Sequence, residues 1–455
     1  MTSSGQGTEL LTGWGRTAPT PATVAHPGDA AALAAVLDQA PPRGVIARGL
    51  GRSYGDPAQN SGGRVADTTG VRGVQAFDPE AGIVTVLAGT SFHDLMADVV
   101  PHGWFVPVTP GTRQVTVGGA IASDIHGKDH HRVGSFGSHL SALTLATPTG
   151  TVSVSPEVDP DLFWATTGGM GLTGIVLDAT IRLRRIETSR LAVDTDRPGD
   201  LDEVLALMEA EDHRYRYSVA WLDLTARGRR TGRGILERGD FATPDQLGPR
   251  DRRTPLTFTP RTLATAPTVV PPRLINPATV RAFNEAWYHK APRRRRGHIQ
   301  TIGSFFHPLD LVDHWNRAYG PRGLLQWQCA LPTTAEDVLR AVVGRFSRST
   351  FPSFLVVLKR FGPGTPGPLS FPIEGWTLSV DVAASDRGLG PFLDDLDRQV
   401  VEAGGRIYLA KDSRMDPDLL DAMYPRVDEW RKVRDRVDPD HILASDQSRR
   451  LRLGG

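Results

Sequence analysis

Three glycine-rich runs, each beside a strand-like segment, constrain the N-terminal part of this chain more than any other feature. They are RGLGRSYGD at 48–56, PVTPGTRQVTVGGAIASDIHGKDHHRVGSFGSH at 107–139 and FWATTGGMGLTGIVLDATIRL at 163–183. Because glycine has no side chain, its backbone N–H groups can approach a phosphate closely. Three such loops in one region fit an extended cofactor lying along several backbone segments better than three unrelated turns.

The first run differs from the nicotinamide-binding fingerprint of a Rossmann fold. That fingerprint, G-x-G-x-x-G, opens a helix whose N-terminal amides bind the pyrophosphate. Here Gly49, Gly51 and Gly55 are spaced G-x-G-x-x-x-G, and the residues from Tyr54 onward, YGDPAQNSGGR, are rich in helix breakers. A nicotinamide Rossmann fold is therefore excluded, whereas a plain turn and a phosphate-binding loop both remain open.

Composition excludes several other classes of protein. The 455 residues, 39% of them hydrophobic, can bury the core of a large two-domain enzyme. Lys plus Arg (52) nearly cancels Asp plus Glu (51), so no overall field favours nucleic acid. The single cysteine, Cys329, excludes an intramolecular disulfide and a cysteine-rich metal site, and we expect it to be buried. The histidines at 126, 130 and 131 lack Glu or Cys at a metal-binding spacing, so we expect no metal and a surface loop for His130 and His131.

Coarse patterning divides the chain into three parts, which we place at 1–189, 190–404 and 405–455. Strands and helices alternate from 20 to 190, and longer polar connections follow. The predicted elements that bear on function are strands at 45–48 (VIAR) and 82–89 (GIVTVLAG), a helix capped by Ser91 with Phe92, Leu95, Met96 and Val99 facing inward, and an apolar strand at 406–411 (RIYLAK) that ends in Lys411.

Arginine is concentrated in three segments of the middle region, at 227–234, 249–255 and 292–298. Such runs are typical of solvated, mobile loops. The alternative is a site for a phosphate or an anionic lipid surface. No export signal and no run of eighteen apolar residues is present, so we expect a soluble protein, cytoplasmic or periplasmic, with peripheral membrane contact left open.

The glycine-rich runs, together with YLAKDSR at 408–414, resemble the FAD-binding domain of the vanillyl-alcohol-oxidase superfamily. FHPLDLVDHWNRAYGPRGLLQWQ, LSFPIEGW and MYPRVDEWRKVRDRVDP more narrowly resemble the family of decaprenylphosphoryl-β-D-ribose 2-oxidases, and the likeness runs from about residue 12 to the end. The resemblance implies an α+β chain with a PCMH-type FAD-binding domain at 1–189. It also implies a substrate domain at 190–404, built on an antiparallel sheet with flanking helices, and a C-terminal segment, 405–455, that returns to the FAD domain.

By the same resemblance the cofactor is FAD, with its pyrophosphate against 48–56 and 111–119 and its isoalloxazine near His126 and Lys411. The implied cofactor contacts are Arg48, Gly49, Gly51, Arg52, Ser53, Tyr54, Gly55, Gly111, Thr112, Thr116, Val117, Gly118, Gly119, Ser123, Asp124, Ile125, His126, Ile175, Val176 and Tyr408. Several members of the superfamily attach the flavin covalently through a histidine in the first glycine loop. Arg52 stands at that position, and a guanidinium cannot form the link, so we expect noncovalent FAD with Arg52 as a phosphate or loop anchor.

The implied catalytic residues are Lys411, His126 and Tyr54. A cation near flavin N1 and C2=O stabilises the charge that hydride transfer to N5 creates, and Lys411 is the candidate. Tyr54 is a candidate for positioning the flavin or a sugar hydroxyl. His126 is a hypothesis for the general base, and no residue identifies itself unambiguously in that role.

The implied substrate pocket is formed by Lys128, Trp221, Phe306, Gln326, Gln328, Lys359, Phe361, Thr377 and Ser379. A lysine among apolar neighbours, as in FLVVLKRFG, needs an anionic partner or a route to solvent, and the ribosyl phosphate is a natural partner for Lys359. This chain departs from the family at three positions, because Thr377 and Ser379 stand where Asn and Cys are common and Phe306 stands where Tyr is familiar. Covalent inhibitors that require the cysteine thiol lose their anchor here.

The implied reaction is oxidation of the 2-hydroxyl of decaprenylphosphoryl-β-D-ribose to the 2-keto intermediate. A separate NAD(P)H-dependent short-chain reductase then completes the epimerisation to the arabinose donor of cell-wall arabinan, and a quinone is the expected electron acceptor. Two alternatives stay open, namely an alditol or sugar-lactone oxidase that uses oxygen and a nonenzymatic flavin-binding protein.

Overall fold

The first two glycine-rich runs follow strands of two N-terminal sheets. The computed structural model describes residues 7–270, 274–384 and 387–454. A mainly parallel sheet has the strand order β1-β2-β4-β3, and an antiparallel sheet has the order β5-β6-β10-β8-β9. Their strands, with the short β7, are β1 (Thr8–Leu11), β2 (Thr20–Ala25), β3 (Val45–Arg48), β4 (Arg64–Asp67), β5 (Val74–Asp78), β6 (Ile83–Leu87), β7 (Trp104–Phe105), β8 (Leu140–Thr147), β9 (Gly150–Val154) and β10 (Ile175–Arg182).

An eight-stranded antiparallel sheet dominates the rest of the described chain. Its order is β16-β12-β14-β13-β19-β20-β18-β21, while β11 pairs with β7 and β15 with β17. The strands are β11 (Arg184–Arg185), β12 (Arg190–Asp196), β13 (Tyr217–Leu222), β14 (Gly234–Phe241), β15 (Ala264–Thr265), β16 (Arg294–Thr301), β17 (Val312–Asp313), β18 (Leu324–Pro332), β19 (Val356–Phe361), β20 (Gly375–Ala383) and β21 (Arg406–Ile407).

Helices cover these sheets, which confirms the predicted α+β class. The α-helices are α1 (Ala30–Ala34), α2 (Phe92–Val99), α3 (Val117–Ala122), α4 (His130–Val133), α5 (Pro160–Thr166), α6 (Leu201–Glu211), α7 (Pro249–Arg253), α8 (Pro277–Lys290), α9 (Ile302–Phe306), α10 (Glu336–Arg348), α11 (Leu389–Glu402), α12 (Leu420–Met423), α13 (Val427–Val437) and α14 (Asp446–Arg450). The apolar faces of α6, α10 and α11 pack on one side of the eight-stranded sheet and form the largest core. The other side of that sheet is therefore left to face the glycine loops. Among the described residues no helix combines the length and apolar character needed to cross a bilayer.

The local predictions around the first loops are confirmed. VIAR forms β3, IVTVL of the predicted strand 82–89 forms β6, and the Ser91 hydroxyl accepts the N–H of Asp94 at 3.0 Å to cap α2. All four predicted apolar positions of α2 are buried, because a four-residue spacing places them on one face.

Residues after 405 pack against the N-terminal sheets. Leu443 forms a parallel bridge with Val45 of β3, and the Trp430 indole donates to the Ala165 carbonyl at 3.0 Å. Gly55 lies so close to the Asp412 carbonyl that a Cβ would stand 1.9 Å from that oxygen, so only glycine allows this approach. The boundaries at 189/190 and 404/405 stay predictions, although the eight-stranded sheet begins at Arg190 and gains its last strand from Arg406–Ile407.

Three predictions of local structure are wrong. The segment RIYLAK is a strand only at Arg406–Ile407, and Lys411 lies in a turn because its N–H donates to the Tyr408 carbonyl at 2.9 Å. Of the arginine-rich segments, 249–253 forms α7 and 294–301 forms the edge strand β16 instead of loops, although the arginines of both are exposed as expected. Arg233 is buried in an ion pair with Asp223 at 2.8 Å. His130 is buried at the start of α4, where Nδ1 accepts the N–H of Gly362 at 3.2 Å, instead of lying in a surface loop.

Candidate cofactor and substrate site

A cavity of about 750 Å³ lies between the glycine-rich loops and the face of the eight-stranded sheet that the helices leave free. The first loop, 48–55, and the second, 109–128, form one wall. Strands β13, β18, β19 and β20 form the opposite wall, and the turn at 408–411 closes one end. The cavity is therefore built from all three parts of the chain.

Most of the predicted cofactor contacts line this cavity. They are Arg48, Gly49, Gly51, Arg52, Ser53, Tyr54, Gly55, Gly111, Thr112, Thr116, Gly118, Gly119, Ser123, Ile125, His126, Val176 and Tyr408. Val117, Asp124 and Ile175 are absent from the lining. Val117 and Ile175 are buried in apolar cores, and the Asp124 carboxylate accepts from the Gly137 N–H at 2.9 Å and the Thr365 hydroxyl at 3.0 Å.

The loops fit a diphosphate-bearing cofactor such as FAD. Gly49 lies so close to Thr116 that a Cβ would stand 2.1 Å from its hydroxyl oxygen, so the first loop can approach the Thr116 side chain only because position 49 has no side chain. The Arg52 guanidinium stacks 3.9 Å over the Trp14 ring, and its buried Nε has no hydrogen-bond partner among the described residues. A buried, unpaired cationic donor beside exposed backbone suits an anion. Arg48 differs, because its guanidinium donates to the carbonyls of Thr12 and Ala58 at 2.7 and 3.0 Å and thereby braces the loop.

The three predicted catalytic residues meet at the end of the cavity closed by the turn. The Lys411 ammonium lies 4.3 Å from the Tyr54 ring centroid, and burial lowers the pKa of Lys411. His126 is packed among the rings of Phe361, Phe371 and Tyr408, and burial holds its pKa well below the ordinary value. His126 is therefore a neutral and weak base, with its Nε2 2.9 Å from the Gln328 amide nitrogen.

Seven of the predicted substrate residues line the cavity, namely Lys128, Trp221, Phe306, Gln326, Gln328, Lys359 and Ser379. The register of the sheet explains this, because Lys359 pairs with Thr377, Gln328 with Ser379 and Gln326 with Asp381. Paired residues project on the same face of a sheet. The other two predicted residues stand behind the wall: Thr377 accepts the Gln328 amide at 3.1 Å, and Phe361 packs against His126 and His130.

Positive charge dominates the substrate side of the cavity. Lys128, Lys359 and Lys411 all line it. Burial, together with the charges of Lys128 and Lys411, lowers the pKa of Lys359 to about 7. Burial likewise lowers the pKa of Lys128 to about 8. Lysines whose charged forms are disfavoured by burial and by one another bind an anion readily, because the anion removes both penalties.

Several lining residues escaped the sequence analysis. Trp14, Met170, Glu237 and the α8 pair Phe283 and Trp287 come from four separate segments, and no local pattern connects those segments. Asp381, directly behind the lining, follows Thr377 and Ser379 at the two-residue spacing of a strand, and that spacing would have found it. Within the described ranges no group of three His, Cys, Asp or Glu side chains is arranged to hold a metal ion. Cys329 is buried as expected.

Comparisons with known proteins agree with this geometry. A family model described as "FAD binding domain" matches residues 21–155, and one described as "D-arabinono-1,4-lactone oxidase" matches 332–451. The decaprenylphosphoryl-beta-D-ribose oxidase of Mycolicibacterium smegmatis is 47% identical over 452 residues, which cover 98% of both chains. An uncharacterised protein of Streptomyces coelicolor is 44% identical over 372 residues (80% of this chain, 100% of that one). Cytokinin dehydrogenase 10 of rice is 30% identical over 194 residues, 40% of this chain and 35% of its own. The cofactor is therefore FAD.

Proposed function

The chain belongs to the decaprenylphosphoryl-β-D-ribose oxidase family of FAD-dependent oxidoreductases, and from this premise we propose that it oxidises the 2-hydroxyl of decaprenylphosphoryl-β-D-ribose to the 2-keto product. One observation carries the choice of substrate: three lysines line a cavity that opens from an FAD cradle. A phosphorylated sugar supplies the anion that these lysines require, whereas a free sugar does not.

In the proposed reaction each group of lining residues has a separate role. The loops at 48–55 and 109–119, with Arg52, hold the diphosphate of FAD, which when bound accepts the hydride from C2 of the sugar. Lys411 supplies a positive charge that stabilises the negative charge gained by the cofactor. Lys128 and Lys359 bind the sugar phosphate, and Gln326 and Gln328 orient the hydroxyl groups. The closely packed walls around His126 exclude water from the reacting end.

A second candidate is an alditol or sugar-lactone oxidase. The match of residues 332–451 to the D-arabinono-1,4-lactone oxidase model favours it. Lys128 and Lys359 argue against it, because a neutral sugar supplies no anion to either ammonium group.

Anaerobic mixing of the yellow protein with a polyprenylphosphoryl-ribose analogue tests the proposal. We expect the flavin absorbance to bleach with the phosphoribose and to persist with free alditols and lactones, because only the former pairs with the lysines. Bleaching by free sugars alone would support the second candidate. A flavin that none of these compounds bleaches would indicate a nonenzymatic flavin-binding protein.

Two partners follow from the chemistry of the product. A 2-keto sugar becomes the 2-epimer only through a second hydride donation, so the proposal requires an NAD(P)H-dependent short-chain reductase acting on the same lipid. The reduced cofactor must also be reoxidised, and a membrane quinone is the acceptor that accompanies a polyprenyl substrate. Together they place the reaction in the epimerisation that yields the arabinose donor of cell-wall arabinan.

The attachment of FAD is proposed to be noncovalent. Arg52 occupies the position of the flavin-linking histidine, and a guanidinium forms no such bond. After acid precipitation of the holoprotein, we expect the yellow colour in the supernatant. Colour that stays with the washed pellet would contradict noncovalent attachment.

The polyprenyl tail of the proposed substrate requires a membrane surface, and α8 carries a patch beside the cavity that is suited to contact with such a surface. Phe283 and Trp287 are 47% and 43% exposed, stack with their ring centroids 6.0 Å apart, and line the cavity with Lys290. On β16 the side chains of Arg294 and Arg295 are exposed. Exposed aromatic rings beside cations are suited to an anionic bilayer surface. We propose that this aromatic and basic patch meets the membrane that holds the substrate.

A further inference from the structure

A buried carboxylate stands directly behind the catalytic end of the cavity. Asp381 lies on β20, is fully buried, and does not line the cavity itself. Its Oδ2 lies 3.5 Å from the Tyr54 hydroxyl, and its Oδ1 accepts the Gln326 amide. The same amide nitrogen lies 3.2 Å from the Tyr54 oxygen. Tyr54 and Gln326 both line the cavity, so Asp381 reaches the cavity only through them.

Oxidation of an alcohol requires a proton acceptor as well as a hydride acceptor. Tyr54 has a hydroxyl on the cavity wall, but burial and the neighbouring Asp381 raise its pKa well above the ordinary value. A tyrosine of this kind stays neutral and cannot act as a phenolate base, so its oxygen can accept a proton only as it donates its own O–H proton to another group. Asp381 lies at the end of that O–H.

We infer that Asp381 is the final acceptor of the proton from the substrate hydroxyl, which reaches it through Tyr54. The substrate O–H proton transfers to the Tyr54 oxygen while the Tyr54 proton transfers to the Asp381 carboxylate. The C2–H bond breaks with its electron pair, which leaves as hydride to FAD, and C2 and its oxygen form the ketone. Tyr54 ends neutral and Asp381 protonated, so charge and protons balance.

Asp381 acts through Tyr54 and is therefore a positioning residue rather than a catalytic one. The groups that face it are Gln326 from β18, Tyr54 from the first glycine loop, Tyr319 from the segment before β18, and Lys411 from the C-terminal turn. Burial raises the pKa of Asp381 to about 7, whereas Gln326 and the positive charge of Lys411 oppose that shift. Because the carboxylate accepts the proton only when it is ionised, activity must fall as the pH decreases through this range.

The test is the pH dependence of anaerobic flavin reduction in the holoenzyme, and it rests on the proposed function only for the choice of sugar. In the wild-type protein we expect the rate to rise with pH up to about 7 and to fall again at higher pH, where Lys411 loses its charge. Asp381→Asn is expected to retain bound FAD, to lower the rate about 100-fold and to lose this dependence on pH. Asp212→Asn is the matched control, because Asp212 is also buried, with its pKa raised to about 6, but its carboxylate accepts from Ser218, which does not line the cavity. It should keep the wild-type profile.

A second variant tests the inference in case Asp381→Asn does not fold. Tyr54→Phe removes the hydroxyl that connects the substrate to Asp381 and leaves the carboxylate in place, so it should also lose the rise of the rate with pH. The inference is overturned if either folded variant keeps the rise with a rate within about threefold of wild type, or if His126→Gln alone abolishes it. Should free alditols rather than the phosphoribose bleach the flavin, the proposed substrate fails. The proton relay is then tested in the same way with the alditol.

Discussion

Lys411→Met should lower the rate of anaerobic flavin reduction by about 100- to 1,000-fold, while the protein still binds FAD. The Lys411 ammonium lies 4.3 Å from the Tyr54 ring in a buried setting, where one preorganised charge contributes roughly 3–4 kcal/mol to a transition state that gains negative charge. Stopped-flow absorbance at saturating sugar measures the effect. Lys432→Met, on the exposed face of α13, is the control and should leave the rate unchanged.

The same variant makes a second, independent readout available. The positive charge of Lys411 lowers the pKa of Asp381, so its removal should shift the pH-dependent rise to higher pH. A loss smaller than about fivefold, with the pH profile unmoved, would show that Lys411 stabilises neither the reduced cofactor nor the carboxylate.

Phe283→Ser combined with Trp287→Ser should weaken binding to phosphatidylglycerol vesicles about 100-fold. Two half-exposed aromatic rings contribute roughly 3 kcal/mol when they enter the lipid interface. Wild-type binding should also weaken as salt is added, because Lys290, Arg294 and Arg295 are exposed or line the cavity mouth. Vesicle flotation measures both effects.

The matched control for this experiment is Leu10→Ser with Val158→Ser. These side chains are 68% and 60% exposed, on β1 and in the loop before α5, so they remove a comparable apolar area elsewhere. If the control weakens binding as much as the aromatic pair does, or if wild-type binding is weak and insensitive to salt, the membrane contact does not lie at α8.

The fold was predictable where a signal was local. The strand β3 follows from four apolar or small residues before glycine, and α2 follows from the Ser91 cap and its buried face. Lys411 shows the limit. Its apolar neighbours predict a strand. In the structure, however, the Tyr54 N–H donates to the Ala410 carbonyl at 3.1 Å, and this tertiary contact stabilises a turn.

The prediction that the arginine-rich segments form loops was wrong for a similar reason. Their composition indicates loops, yet 294–301 pairs with β12, and Arg233 finds a buried carboxylate in Asp223. Both partners lie outside the arginine-rich segments, so the composition of those segments does not reveal them.

The site was predicted unevenly. The glycine content of the loops indicates directly that their backbone is accessible, and most of the residues predicted in these loops line the cavity. Trp14, Phe283 and Trp287 could not be found in this way, because only the folded chain brings the N-terminal segment and α8 to the same cavity. Asp381 could have been predicted, because the alternation of side chains along β20 places it on the same face as Thr377 and Ser379.

Two contacts between distant parts of the chain bear on when the flavin pocket forms during protein synthesis. They are the contact of Gly55 with Asp412 and the bridge from Val45 to Leu443. A ribosome releases residues 48–55 long before residues 408–443, so the first glycine loop waits without its far wall during most of synthesis. The flavin pocket is therefore completed late, and cofactor loading follows translation of the whole scaffold instead of accompanying the N-terminal domain as it emerges.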